Sequence, residues 1–299
     1  MDKRSLVIST VLALLLLLVG VGLIAYPFVS NYLMHQEQSK VMVAQQASTA
    51  ENDQASIDAK LEKARDYNNR LNQNLVTVTD PFNPNIQHIS EDEYDTLLNI
   101  AGDGVIGSVA IPKIDVSVPI YHGTEEDSLQ KGAGHLEGTS LPVGGESTHS
   151  VIAGHNGLPS VQIFDRIGEL VEGDYFVITV LGTEMAYRVT GSEVVEPDET
   201  ESLRIQQGQD LVTLVTCTPY GINSHRLLVH AQRCVIPASW YENEKDDSAA
   251  SASTPSALDV ALPIAAVILA IGAGTAIGIV LARRRAHRNR VRKYSFLKK

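Results

Sequence analysis

From Leu6 to Phe28 the chain carries no charged residue, and the centre of this stretch, VLALLLLLVGVGLIA, is continuously apolar. At about 1.5 Å per residue, a helix of this length crosses the roughly 30 Å hydrocarbon core of a bilayer. Lys3 and Arg4 precede it, as in a secretory signal, but the run exceeds the roughly 7 to 15 residues of a signal core. Tyr26, Pro27 and Phe28 also follow where a small-x-small cleavage site is needed, so the segment reads as a retained anchor. A second uncharged stretch runs from Val260 to Ala282 and is followed by RRRAHRNRVRKYSFLKK, which holds nine Lys and Arg and no acid. The positive-inside tendency places that tail in the cytoplasm, so both ends are expected to face inward with the residues between them outside.

Charge supports the same division. Of the net charge of -11, residues 1–4 contribute +1 and residues 283–299 contribute +9, which leaves -21 for residues 5–282. An acidic exterior excludes nucleic acid as the partner, since that needs a basic face. The basic tail reads as a topology signal in contact with anionic lipid.

Residues 1–29 are thus expected to hold the cytoplasmic stub and anchor. Residues 30–79 are polar, with Val41, Ile57, Leu61, Ala64 and Leu71 spaced as on a helix, and predict a helical stalk of one or two helices between membrane and domain. Asp80-Pro81-Phe82-Asn83-Pro84-Asn85 breaks it, and residues 80–104 form a connector. From Val105 the texture turns to short β-rich runs: IGSVAI, VSVPIY, HSVIAGH, DYFVITVLG, MAYRVTGSEVV, DLVTLVTC and RLLVHAQ. Brief helical spacing appears at Asp127–Gly132 and Val161–Ile167. The chain is therefore mainly β, with a closed or nearly closed barrel and short helices over 105–240. A disordered linker over 241–259, a C-terminal transmembrane helix over 260–282 and the basic tail over 283–299 complete it.

Two cysteines do not make a disulfide framework, although a Cys217–Cys234 bridge is compatible with the sequence. Cys217 ends the strand-like run Leu211–Thr216, where strand becomes the loop Thr218-Pro219-Tyr220-Gly221. A thiol there is held by a sheet yet open to substrate, whereas a buried inert cysteine is the plainer alternative. Arg226 opens the next strand. If the two strands are neighbours, its guanidinium meets the thiol, lowers the thiol pKa and can stabilise an oxyanion; alone, it reads as a solvated charge. His155 lies in Gly154-His155-Asn156-Gly157, after the strand Ser150–Ala153, where glycines let backbone approach a ligand. His122, His135, His149, His225 and His230 read as hydrogen-bonded structural residues, and Cys234 as a small apolar filler. No His or Cys pair has metal-ligand spacing, so neither metal nor cofactor is expected.

Thr213-Leu214-Val215-Thr216-Cys217, with Arg226 after it and Gly154-His155 before it, resembles the signature of the sortase family. PIYHGT at 119–124, GAGHLEGTSLPVGG at 132–145 and GHNGLP at 154–159 resemble its pilus-assembling class C branch. The resemblance implies a sortase β-barrel with Cys217, His155 and Arg226 as catalytic residues. It also makes Asp80, Pro81 and Phe82 a lid, with Phe82 shielding the thiol and Asp80 pairing with Arg226 or a nearby donor. The implied partners are LPxTG-bearing pilin or surface proteins and an acceptor amine, a pilin lysine or alternatively a cell-wall peptide. The implied place is the membrane of a Gram-positive bacterium, with the catalytic domain outside. Leu141-Pro142-Val143-Gly144-Gly145 lacks the Thr of a sorting signal and reads as a structural turn. A noncatalytic membrane scaffold that binds surface proteins is the alternative of another class.

Overall fold

Each β-rich run read from the sequence forms a strand, and the strands close on themselves. The computed structural model describes residues 3–73, 78–83, 93–158, 161–241 and 265. The expected linker beyond Tyr241, the C-terminal apolar helix apart from Ala265, and the basic tail lie outside these described residues.

The strands are β1 (Val105–Ile111), β2 (Val116–His122), β3 (Ala133–His135), β4 (Thr148–Ala153), β5 (Tyr175–Val180), β6 (Thr183–Val195), β7 (Asp210–Thr218) and β8 (His225–Cys234). They form a closed barrel in the order β1-β2-β3-β4-β7-β8-β6-β5, with β5 returning to β1. Among the described residues only β2–β3 and β4–β7 pair parallel. Every residue of β4 is buried, as expected of an internal strand with a parallel neighbour. The barrel is filled by residues such as Ile106, Val109, Ile120, Ile152, Phe176, Leu214 and Val229. A second apolar cluster of Leu136, Val151, Leu203, Val215 and Leu228 has Val78, Phe82 and Val195 packed against it. Neighbouring residues Leu214 and Val215 fall in different clusters, because successive side chains on a strand point to opposite faces.

Strand β3 has no counterpart in the sequence reading, since three residues, Ala133-Gly134-His135, are too few to show an alternation. An added Cβ at Gly134 would lie 2.4 Å from the Gly123 carbonyl oxygen, so the close approach of backbones there depends on glycine. The expected helical turn over Val161–Ile167 is not present either. Val161, Ile163, Phe164 and Ile167 are buried in the barrel core from an irregular segment, and only Ile167–Glu169 makes a short 3-10 turn. Four apolar residues in seven imitate a helical face when a chain crosses a core without regular structure. The other expected turn forms as α3 (Glu126–Leu129), after the two long N-terminal helices α1 (Lys3–Ala50) and α2 (Gln54–Gln73).

Two compact units are distinguished, one containing α1 as far as Tyr32 and the other beginning at Leu33. In the first, Leu12, Leu15, Leu16, Leu18 and Leu23 are exposed, and α1 is a helix long and apolar enough to cross a membrane. In the second, the helices of residues 33–73 lie against the barrel instead of standing clear of it as a stalk. Gln38 Nε2 donates to the Lys131 carbonyl at 2.9 Å and Gln45 Nε2 to that of Val105 at 3.3 Å. Helix α2 buries Ile57, Leu61, Ala64 and Asn68, one face of a helix at spacings of four, three and four. Ile57, Leu61 and Ala64 join the barrel's apolar cluster. Asn68 exchanges two hydrogen bonds with the Leu141 backbone, at 3.0 and 2.7 Å.

Candidate active site

The antiparallel register of β7 and β8 sets Cys217 directly opposite Arg226. Cross-strand partners have Cβ atoms about 4.5–5.5 Å apart, so the thiol and the guanidinium start from adjacent positions. Both side chains are largely enclosed: Cys217 is 7% exposed and Arg226 9%. Cys234 lies eight residues beyond Arg226, at the far end of β8 and paired with β6, about 26 Å of strand away. Both cysteines are free thiols.

His155 follows the end of β4, which pairs with β7 as far as Ala153–Val215. One further bond, from Gly154 N–H to the Val215 carbonyl at 3.0 Å, extends that ladder, and Thr216 Oγ1 donates to the Gly154 carbonyl at 2.7 Å. Phe164 N–H donates to the His155 carbonyl at 3.0 Å, and Asn156 Nδ2 to that of Cys217 at 3.2 Å. The turn is thus tied to the strand of Cys217 on both sides of His155. An added Cβ at Gly154 would lie 2.6 Å from the Phe164 ring, so glycine lets the chain leave β4 against that ring. Gly157 has φ +83, a left-handed conformation that suits glycine, and its N–H is taken by Asp165 Oδ1 at 3.0 Å.

Asp80-Pro81-Phe82 lies across this site. Arg226 Nε and Nη2 donate to Asp80 Oδ1 and Oδ2, both at 2.7 Å, a two-toothed pair whose side chains are 11% and 12% exposed. Nη1 donates to the carbonyls of Asn223 and His225 at 3.1 and 3.0 Å. The Phe82 ring lies 5.2 Å from the guanidinium carbon and 5.7 Å, centroid to centroid, from the His155 ring. The segment is held as a turn by Asp80 Oδ1 accepting Phe82 N–H, and by Thr200 Oγ1 donating to the Val78 carbonyl.

Electrostatics in this arrangement differ from the expectation of a lowered thiol pKa. Burial pushes the Cys217 thiol above its ordinary value; Arg226 pulls it down, and Asp80 pushes it up again. The guanidinium acts as expected, but desolvation outweighs it and the Asp80 carboxylate offsets its charge.

His135, His149 and His230 take structural partners, whereas His122, expected to be hydrogen-bonded, stands edge-on to the Tyr94 ring at 4.7 Å with neither buried ring nitrogen in a hydrogen bond of good geometry. His135 Nδ1 meets Tyr94 Oη at 2.8 Å and its Nε2 meets the Ser140 carbonyl at 2.9 Å. His149 meets the Arg204 carbonyl and Thr213 Oγ1, and His230 meets Thr213 Oγ1 and Glu193. Burial pushes His122 down to about 4, His135 to about 3 and His149 to about 4, so all three are neutral at pH 7. His225 stands near Glu196 at 3.2 Å. One residue absent from the sequence reading also reaches the site: Glu126, whose Oε2 stands 3.4 Å from His155 Nε2. Its signal in sequence is no more than an acidic pair, Glu125-Glu126, at the start of a short helix.

A sortase-domain family model matches residues 109–234. Sortase D of Bacillus subtilis is 31% identical over 130 residues, which span 42% of this chain and 63% of that protein. Among solved structures, sortase C-1 from Actinomyces oris is 45% identical with a TM-score of 0.58, covering 61% of this chain and 99% of that one. Sortase C of Streptococcus pneumoniae, a structure reported to bear on catalysis and pilin substrate specificity, is 41% identical with a TM-score of 0.59, covering 67% and 98%.

Proposed function

This chain belongs to the sortase family of cysteine transpeptidases, and we propose that it is a membrane-anchored, pilus-assembling member of the class C branch. Its substrate is an LPxTG-like sorting signal, cleaved between Thr and Gly. Cys217 thiolate attacks the Thr carbonyl carbon, and Arg226 receives the negative charge that develops on the oxygen. Collapse breaks the Thr–Gly bond as His155, as imidazolium, gives its proton to the departing amine, leaving an acyl-thioester on Cys217. A pilin lysine then attacks the thioester; His155, now neutral, takes its proton, and an isopeptide bond replaces the thioester as the thiolate leaves.

The observation that carries this reading is that Arg226, opposite Cys217, already grips an anion in its fork, with Asp80 oxygens at 2.7 Å from both Nε and Nη2. A donor pair that binds a carboxylate in this way is suited to an oxyanion formed on the neighbouring thiol's adduct. In this reading Asp80, Pro81 and Phe82 are a lid that occupies the substrate's place. Helix α1 anchors the protein with its domain outside the cell, and the uncharged stretch 260–282 with the basic tail behind it returns the C-terminus to the cytoplasm.

The experiment uses full-length protein in detergent with an LPxTG-like peptide, followed by mass spectrometry. An acyl adduct is expected on the parent and on Cys234→Ala but not on Cys217→Ala. No adduct on parent or lid-opened protein would remove the transpeptidase reading. Offering a pilin and a wall-peptide amine then separates acceptors: a ladder of polymers supports pilus assembly, and a single adduct with the wall amine alone contradicts it.

A further inference from the structure

We infer that Glu126 is a positioning residue for His155, acting through Nε2 and leaving Nδ1 as the ring nitrogen that exchanges the proton. The inference rests on the acyl-transfer reading for its consequence in rate, but its geometry stands apart from that reading. His155 Nε2 is buried and makes no hydrogen bond of good geometry. A buried ring nitrogen in that state calls for a partner. Glu126 Oε2 faces it at 3.4 Å, within ion-pair range and slightly beyond a formed hydrogen bond. Catalytic hydrogen bonds are commonly long before substrate enters and tighten afterwards.

The carboxylate is itself aimed. Gln130 Nε2 donates to Glu126 Oε1 at 2.8 Å, one turn along the chain, so Oε2 is the oxygen left toward the imidazole. The order Gln130, Glu126, His155 repeats the logic of a nucleophile's base held by a third group. The other charges near the ring are engaged elsewhere. Asp80 and Arg226 pair with each other, and Asp165 accepts from Gly157 and Ile163 N–H. A proton fixed on Nε2 by a carboxylate places the lone pair of the neutral ring on Nδ1 and steadies the imidazolium when Nδ1 is also protonated. No bond to Glu126 forms or breaks in the reaction.

Glu126 is 63% exposed at its side chain, so its effect is moderate. Removing it is expected to slow aminolysis of the Cys217 thioester roughly tenfold, well short of the roughly 10⁴-fold loss when a buried triad carboxylate is replaced. Full-length protein labelled with ¹⁵N-histidine, its His155 signal assigned with a His155→Gln variant, reports the tautomer. The parent is expected to show the Nε2-protonated form, and Glu126→Ala a mixture of both forms. Glu126→Gln, which keeps an acceptor oxygen and loses the charge, is expected to keep the tautomer and recover part of the rate, with the peptide KM unchanged in both. If Glu126→Ala does not fold, the Gln variant's slower aminolysis at unchanged KM carries the test. An unchanged tautomer in Glu126→Ala, or parental aminolysis in a folded Glu126 variant, overturns the inference. Failure of the acyl-transfer reading shows separately, as a thioester that forms without Cys217 or resolves at full rate in His155→Gln, and the tautomer measurement needs no turnover.

Discussion

Arg226 donates from all three of its guanidinium nitrogens, two to Asp80 and one to the loop carbonyls of Asn223 and His225. The loop bonds aim the fork and leave the other edge for whatever anion the site holds. A lysine keeps the charge but offers one mobile ammonium, which cannot span two oxygens while holding the loop. Arg226→Lys is therefore expected to lose on the order of 10²–10³ in turnover, equivalent to about 2.7–4 kcal/mol of oxyanion stabilisation. Single-turnover acylation of Cys217 measures it, and near-parental rates would remove the oxyanion role. The nature of Cys217 and Arg226 as neighbours was legible because Arg226 lies only nine positions after Cys217, across one hairpin. Asp80 was legible only as a candidate partner, since it lies 146 positions from Arg226 and no local rule selects one carboxylate among many. Glu126 was not legible at all: nothing in an acidic pair at the start of a four-residue helix announces a histidine that lies 29 positions later.

Strand β7 could be read because its burial demands a long β-branched and apolar run, which few loops imitate, and β8 from the shorter apolar run Leu227-Leu228-Val229 after the turn. The segment 161–167 was misread for the opposite reason, since burial alone writes an apolar pattern whether or not the backbone is regular. For α2 the period was legible but its destination was not; an apolar stripe specifies that a face is covered, not by what. The structure makes the barrel its cover, which gives α2 a part in domain stability. Asn68 is the sharpest test because it serves both the N–H and the carbonyl of Leu141 in a buried place. Asn68→Ala leaves two backbone groups without partners, at about 1–3 kcal/mol each before relaxation. A fall in unfolding free energy of about 2–4 kcal/mol is expected by denaturant titration. A loss under about 0.5 kcal/mol, typical of surface positions, would mean that α2 contributes little to the domain.

At the scale of the molecule, residues 78–83 lie at the end of the barrel that carries Cys217 and Arg226, and the proposed lid would act through the thiol's ionisation as well as by covering it. The Asp80–Arg226 pair is more buried than an ordinary surface pair, so it is not merely a weak exposed contact. Opening nevertheless returns both ions to water, and the recovered hydration offsets much of the lost attraction. The apolar contacts of Val78 and Phe82 with the second cluster are then the larger part of what holds the segment down. The sign of the electrostatic effect follows from the three influences on Cys217. With the lid closed, burial and Asp80 both raise the thiol pKa against the pull of Arg226. Removing the lid withdraws much of the burial and all of the Asp80 charge, while Arg226 stays, so the titration midpoint moves to lower pH and more thiolate is present at neutrality. Asp80→Ala combined with Phe82→Ala is therefore expected to shift the pH profile of Cys217 alkylation by iodoacetamide to lower pH. Labelling at pH 7 should rise at least about threefold, because the gain in thiolate exceeds the loss of nucleophilicity in a more acidic thiol. Unfolding measured in parallel should show an intact barrel, since neither residue lies in the barrel's own apolar cluster. Superimposable labelling profiles at equal stability would mean that the segment is a connector and not a lid.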